Sequence, residues 1–220
     1  MKSIQPIRTL ILAALGIGGL LLTSTGASAA GYKLADKVGV DIAQFRDEIV
    51  DVKKAVDATM AALDKIVAQA TVDPRKAFKE FDKSVPHIDA EAAKAKKRAE
   101  DMKARGKEYF DKWEKEMAGV NDPEIRKLAE ERKAKLQAAF GNIKTTMEPA
   151  RDQFNPWLAH LKALQKYLSQ DLTINGIDAA KDLIMKSKRE GMEVQQMLDT
   201  VIVELNTVVA TITPAKTRRT

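Results

Sequence analysis

The sequence predicts an all-α protein, an elongated antiparallel helical bundle or coiled coil of four long helices, with the second and third kinked at prolines. Three observations carry that expectation. Only 11 glycines and 7 prolines punctuate 220 residues, and aromatics make up 5%, a composition unlike that of a sheet protein. From Ile177 to Ile212 a seam recurs at Ile177, Ala180, Ile184, Ser187, Gly191, Val194, Leu198, Val201, Leu205, Val208 and Ile212. Its 3-4 spacing never slips, as expected of one helical face packed along its whole length. Finally, Asp73-Pro74 and Asp122-Pro123 each set a capping acid before a proline at the first helical position, where the missing N–H costs nothing.

The first helix is expected from near Asp41, which can cap it with Gln44 three residues on. Its seam runs Phe45, Ile49, Val52, Val56, Met60, Leu63 and Ile66 or Val67. The second opens at Asp73-Pro74, carries Phe78 and Phe81 on one face, and meets Pro86, which should kink it or split it in two. Beyond lie Ile88, Ala92, Ala95, Ala99, Met102, Gly106, Tyr109 or Phe110, Trp113 and Met117, small residues filling the middle. The third opens at Asp122-Pro123 and reads Ile125, Leu128, Arg132, Leu136, Phe140, Ile143, Met147, Ala150, Phe154, Trp157, Leu161, Leu164 and Leu168. Pro149 and Pro156 interrupt its hydrogen bonds but not its seam, which predicts bends rather than an end. Asn175-Gly176 leads into the fourth helix, roughly 54 Å long at 1.5 Å per residue, and Pro214 closes it.

Short turns make neighbouring helices antiparallel. Folding the second helix on the third sets Ala95 and Ala99 opposite Met147 and Ile143, and brings Pro86, Pro156 and Gly191 to one level, where a shared bend or loosening is expected. The lengths leave Lys103 to Ala134 as a projecting two-helix hairpin with arms of roughly 20 Å.

The ends carry an address. Lys2 and Arg8, the apolar run Leu10 to Leu22, and Ala27-Ser28-Ala29 have the form of a cleavable signal peptide over residues 1–29, leaving one helical-bundle domain over 30–213 and a basic tail, expected to be disordered, over 214–220. With no cysteine there is no lipid acceptor, disulfide or thiolate metal site, so the protein is expected in the periplasm and not as a lipoprotein. The net charge of +6 falls to +4 without Lys2 and Arg8, and Lys216, Arg218 and Arg219 carry three of those four. Acids and bases interleave along the body, which argues against nucleic acid; the tail allows weak membrane or cell-wall contact.

No catalytic constellation can be nominated. The two histidines, His87 and His160, have no partner at ligand spacing, and no H-E-x-x-H, G-x-S-x-G or phosphate-loop pattern occurs. No cofactor or metal is therefore expected. Carboxylates are read as i,i+4 partners of basic residues, for instance Glu131 with Lys135. Met60, Met102, Met117 and Met147 fall on seams and are read as core filling. The candidate protein contact is Tyr109, Phe110, Trp113 and Met117, since two projecting helices cannot bury three adjacent aromatics. The competing expectation packs them on Ile125, Leu128 and Leu136, or in an oligomer.

Tyr32 with Lys37-Val38-Gly39-Val40, Arg46-Asp47, Trp113-Glu114, and Met147-Glu148-Pro149 followed by Phe154, Leu158 and Leu161-Lys162 give the mature chain its resemblance. From about Tyr32 to Thr211 it resembles the bacterial family catalogued as domain of unknown function 2959. The resemblance implies an exported, all-helical protein and adds no catalytic residue. Many members look like lipoproteins with cysteine at the cleavage site, where this chain has Ala27-Ser28-Ala29-Ala30. The expected function is a non-enzymatic envelope adaptor or scaffold acting on a protein partner or on itself. A periplasmic holdase chaperone is the alternative, and a haem- or metal-binding bundle the third.

Overall fold

The computed structural model describes residues 28–213, with the side chains of Ser28, Ala29, Ala30 and Tyr32 left aside. Four helices follow one another: α1 (Ser28–Ala68), α2 (Arg75–Met117), α3 (Pro123–Gln170) and α4 (Ile174–Ile212), with no strand among the described residues. They form an antiparallel ring in which α1 packs on α2 and α4, and α3 on α4 and, least closely, α2. The diagonal pairs α1 and α3, and α2 and α4, make no close backbone approach.

The predicted seam of α4 is the buried face of the helix, from Ile177 to Ile212, without exception. It holds one register against α1: Gly39 meets Thr213, Arg46 Nη1 donates to Asn206 Oδ1 at 3.1 Å, Lys53 meets Asp199 at 2.5 Å, and Lys188 meets Asp64. Seam residues of the other three helices complete a core whose largest fully buried members include Trp157, Phe45 and Phe81. Gly191 is the closest crossing. A β-carbon there would lie 2.5 Å from Met60 Sδ and 3.3 Å from the Trp157 ring, so glycine is kept inside a helix, where it ordinarily costs about 1 kcal/mol.

Asp122 caps α3 as expected, accepting from the N–H groups of Glu124 and Ile125 at 2.9 and 3.0 Å. At α2 the acid works one residue earlier than expected: Pro74 itself is the N-cap, and Asp73 accepts from Arg75 N at 3.1 Å. Thr173, not Asn175-Gly176, caps α4, its hydroxyl accepting from Gly176 N at 3.1 Å. The i,i+4 ion pairs occur as a class, for example Lys107 with Asp111 at 2.6 Å, but Glu131 and Lys135 do not pair.

Four expectations are corrected. First, α1 does not start near Asp41. Leu34, Ala35, Val38 and Ile42 extend the 3-4 spacing upstream and are buried, while Asp41 is mid-helix and forms an ion pair with Arg105 of α2. Second, Lys103 to Ala134 therefore does not project as a two-helix hairpin, because the first turns of α1 run beside α2 as far as Glu116. Only α4 stops short, Arg132 donating to the Thr211 carbonyl near its end. Third, Pro86 does not split α2, which is continuous, as α3 is through Pro149 and Pro156. Fourth, the α2–α3 register is shifted. Asp82 meets Gln165 and Asp89 meets Lys162, so Pro86 lies opposite the 162–165 stretch; Gly191 does adjoin Trp157, the neighbour of Pro156, but Pro86 is not at their level. The predicted facing of Ala95 and Ala99 with Met147 and Ile143 shifts with it. The leader over 1–27 and the tail over 214–220 lie outside the described residues.

All three helix-interior prolines are exposed, and each leaves the carbonyl four residues earlier without its helical donor. Pro86 has a further device: the carbonyl four residues earlier, Asp82 O, accepts from Gln165 Nε2 at 2.9 Å, and the same amide donates to Asp82 Oδ1 at 2.9 Å. Replacing Gln165 with leucine should lower stability by about 1 kcal/mol in urea unfolding. With Pro86→Ala also present, where a restored amide satisfies Asp82, the cost should shrink, and an additive double-mutant cycle would refute the compensation.

Candidate functional site

The four candidate contact residues come together near the end of the bundle that holds the α2–α3 turn, one turn apart along α2. Tyr109 is buried, whereas Phe110, Trp113 and Met117 are half-buried. The rings pack edge to face: Tyr109 on Phe110 with centroids 5.3 Å apart, Tyr109 on Trp113 at 5.9 Å, and Phe110 on Phe140 of α3 at 5.5 Å. Phe140 reaches that position because Gly106 opposes it; a β-carbon there would lie 2.8 Å from Phe140 Cε1.

The packing expected with Ile125 and Leu128 does not form. Both side chains are exposed, at 49% and 62%, because α4 ends before it can cover the first turns of α3; Leu136 alone of the three is buried. The partners that sequence reasoning missed are Leu34 and Ala35 on α1 and Phe140 on α3. The signal for the first two was present, as Leu34 and Val38 stand at the same spacing as Ile42 and Phe45.

Trp113 stands between two grooves. One, of about 290 Å³, lies between α1 and α2, walled by Leu34, Ala35, Tyr109, Trp113 and Met117, with Lys112 and Glu116 on its rim. Gly31 keeps the α1 side low, its missing side chain facing Glu116 Oε2. The other, of about 170 Å³, lies between α2 and α3, where Trp113 and Met117 meet Ala129 among Glu114, Arg126, Glu130 and Lys133. Lys133 and Glu114 form an ion pair across it. The arrangement offers apolar surface ringed by charges of both signs.

Burial pushes the Tyr109 phenol above the ordinary tyrosine value, partly opposed by the nearby Arg132 cation. The raised value favours the neutral phenol. The stability it contributes is complete below pH 10 and is lost as pH climbs through and beyond that value. In a spectrophotometric titration, Tyr109 should ionise above the ordinary tyrosine range, and Tyr109→Phe should remove that late phase; a late phase that persists would place the shift elsewhere.

Both histidines are exposed. His160 Nδ1 lies 2.9 Å from Glu190 Oε2, and His87 Nδ1 lies 3.6 Å from Glu91. Among the described residues no three His, Asp or Glu side chains converge to hold a metal ion, and no helix is long and apolar enough to cross a membrane.

Fold and surface together define a class: long antiparallel four-helix bundles with a half-buried aromatic cluster toward one end. Within it, the chain belongs to the family described as protein of unknown function (DUF2959), whose model matches residues 26–212. No curated protein and no solved structure matches the chain.

Proposed function

We propose that the protein is a non-enzymatic helical adaptor of the bacterial envelope, acting through protein contacts at the Trp113 face. The single observation that carries this reading is Trp113 itself, a half-buried tryptophan shared by two adjacent grooves with a mixed-charge rim. Tryptophan in such a setting is the residue type that most often anchors protein interfaces. Export to the periplasm rests on the leader-like Lys2, Arg8, Leu10 to Leu22 and Ala27-Ser28-Ala29. The absence of a nucleophile-base pattern supports the non-enzymatic part.

The test is cross-linking in living cells from a photoreactive residue at position 113, followed by mass spectrometry. Capture of one dominant envelope protein supports the adaptor. A spread of unfolded outer-membrane proteins would replace it with the holdase reading. Capture of this chain alone would make the face a self-contact, and no capture would remove Trp113 as the contact site.

A further inference from the structure

We infer that the outward face of α2 from Lys76 to Lys97 docks an acidic helix of a partner protein. This face is separate from the Trp113 grooves, since Lys97 and Trp113 are about 24 Å apart along the helix, and the inference does not depend on that site.

Acids and bases interleave along the sequence, but here the fold sorts them. Between Lys76 and Lys97, α2 carries four carboxylates, Glu80, Asp82, Asp89 and Glu91. Each is engaged away from the outward side. Glu80 pairs with Lys65 of α1 at 2.6 Å, and Asp89 with Lys162 of α3 at 2.6 Å. Asp82 accepts from Gln165 of α3 at 2.9 Å, while Glu91 is buried and accepts from Lys94 at 2.9 Å. What remains outward is a row at 3-4 spacing: Lys76, Lys79, Lys83, Pro86, Ala90, Lys94 and Lys97, all but Pro86 and Ala90 cationic. All are exposed, and among the described residues Lys76, Lys79, Lys83 and Lys97 have no ion-pair partner. The row is about 32 Å long, and Asp101, next at the same spacing, ends it.

The other outward faces are mixed. Asp47 and Asp51 of α1 stand with Lys54, Glu148 and Asp152 of α3 with Lys144, and Asp178 and Asp182 of α4 with Lys181. A second copy of this chain therefore brings no acidic row to meet the basic one.

The chemistry of the row narrows its occupant. Lysine is a compact point charge, and the row has neither the arginine forks nor the aromatic rings with which proteins read or stack bases. None of the large apolar side chains that the bundle exposes lies on α2, so this face has nothing to insert at the headgroup depth of a bilayer. Lysine–carboxylate pairs are, by contrast, what joins the helices of this bundle along their flanks. Lys53 meets Asp199 at 2.5 Å, Lys65 meets Glu80, and Lys162 meets Asp89. The α2 row repeats that device on a side that has no neighbouring helix. A helix with acids at the same spacing would lie along it as a fifth member, its carboxylates on the two lysine groups. The short side chains of Pro86 and Ala90 between those groups allow the two helices to approach.

The probe is a fluorescent alanine-based helical peptide with its glutamates in one 3-4 row, set against a peptide of the same composition with the glutamates spread around the helix. In anisotropy titrations with the full chain at low ionic strength, the row peptide should bind on the order of tenfold more tightly than the spread one. Replacing Lys76, Lys79, Lys83 and Lys97 together with glutamine should weaken row-peptide binding on the order of tenfold. The same replacement at Lys127, Lys135, Lys166 and Lys181, exposed lysines elsewhere, removes equal charge and should change it by less than about twofold. Trp113→Ala should leave it unchanged, which separates a failure here from a failure at the Trp113 face. Equal binding of the two peptides, equal losses in the two lysine variants, no binding, or tighter binding to polyphosphate or to phosphatidylglycerol vesicles than to the row peptide would each overturn the inference.

Discussion

Replacing Trp157 with alanine is expected to destabilise the fold by about 3–5 kcal/mol, the range for removing a buried aromatic from a core that cannot close over the space. Trp157 is 1% exposed, touches Phe154 with centroids 5.8 Å apart, and donates from Nε1 to the Ser187 carbonyl at 2.8 Å. Its ring also fills the space that Gly191 leaves open beside Met60. The loss therefore falls where α1, α3 and α4 meet, beside the flexible side chain of Met60. Trp113→Ala is the natural comparison. Half-buried at the rim of its two grooves, that ring should cost only about 1 kcal/mol on removal. Urea unfolding followed by far-ultraviolet circular dichroism gives both numbers; equal effects would mean that the two tryptophans are equally embedded.

A chain beginning at Asp41 should lose about 4 kcal/mol relative to one beginning at Ser28. Val38 is fully buried and Leu34 and Ala35 nearly so, and a buried aliphatic side chain contributes roughly 1.5–3 kcal/mol. Removing the segment also opens one wall of the larger Trp113 groove and exposes Tyr109. The shortened chain should thus show two linked changes: a lower urea midpoint, and a Tyr109 phenol that ionises nearer the ordinary value. An unchanged midpoint would mean that residues 28–40 contribute nothing to the bundle.

That second result bears on what could be read from the sequence. Helix number, the whole buried face of α4, the Asp122 cap and the continuity of α3 through two prolines were legible, because each follows from spacing or from a local backbone rule. The start of α1 was not. Asp41 with Gln44 makes a plausible capping pair, and Gly39 just upstream looks like punctuation. In the fold Gly39 is instead a point of close approach to Thr213, a reason that exists only once α4 is in place. The error then propagated, since a short first helix leaves a free hairpin and a long one covers it. The register of α2 on α3 failed for a related reason: these two helices pack least closely, and small residues such as Ala92, Ala95 and Ala99 fix a register weakly. Of the site, the four residues on α2 were legible as an apolar cluster. Their walls on α1 and α3 were not, because they come from chain segments far apart in sequence.

The weak α2–α3 contact shapes how the bundle assembles. Helices joined by short turns usually make the quickest contacts, and loops that must close over long distances delay folding. Here the pairing of α1 with α4, nearly the full chain apart, is a major contact of the ring, while the central neighbours are only loosely joined. The architecture is two hairpins, α1–α2 and α3–α4, closed chiefly by the first and last helices. A nascent or partly threaded chain can form the first hairpin early, yet its α4-facing surface must wait for the 39 residues of α4 to emerge. Completion of folding is thereby tied to the emergence of α4, and any product interrupted before it presents an unzipped apolar seam to whatever quality control surveys it.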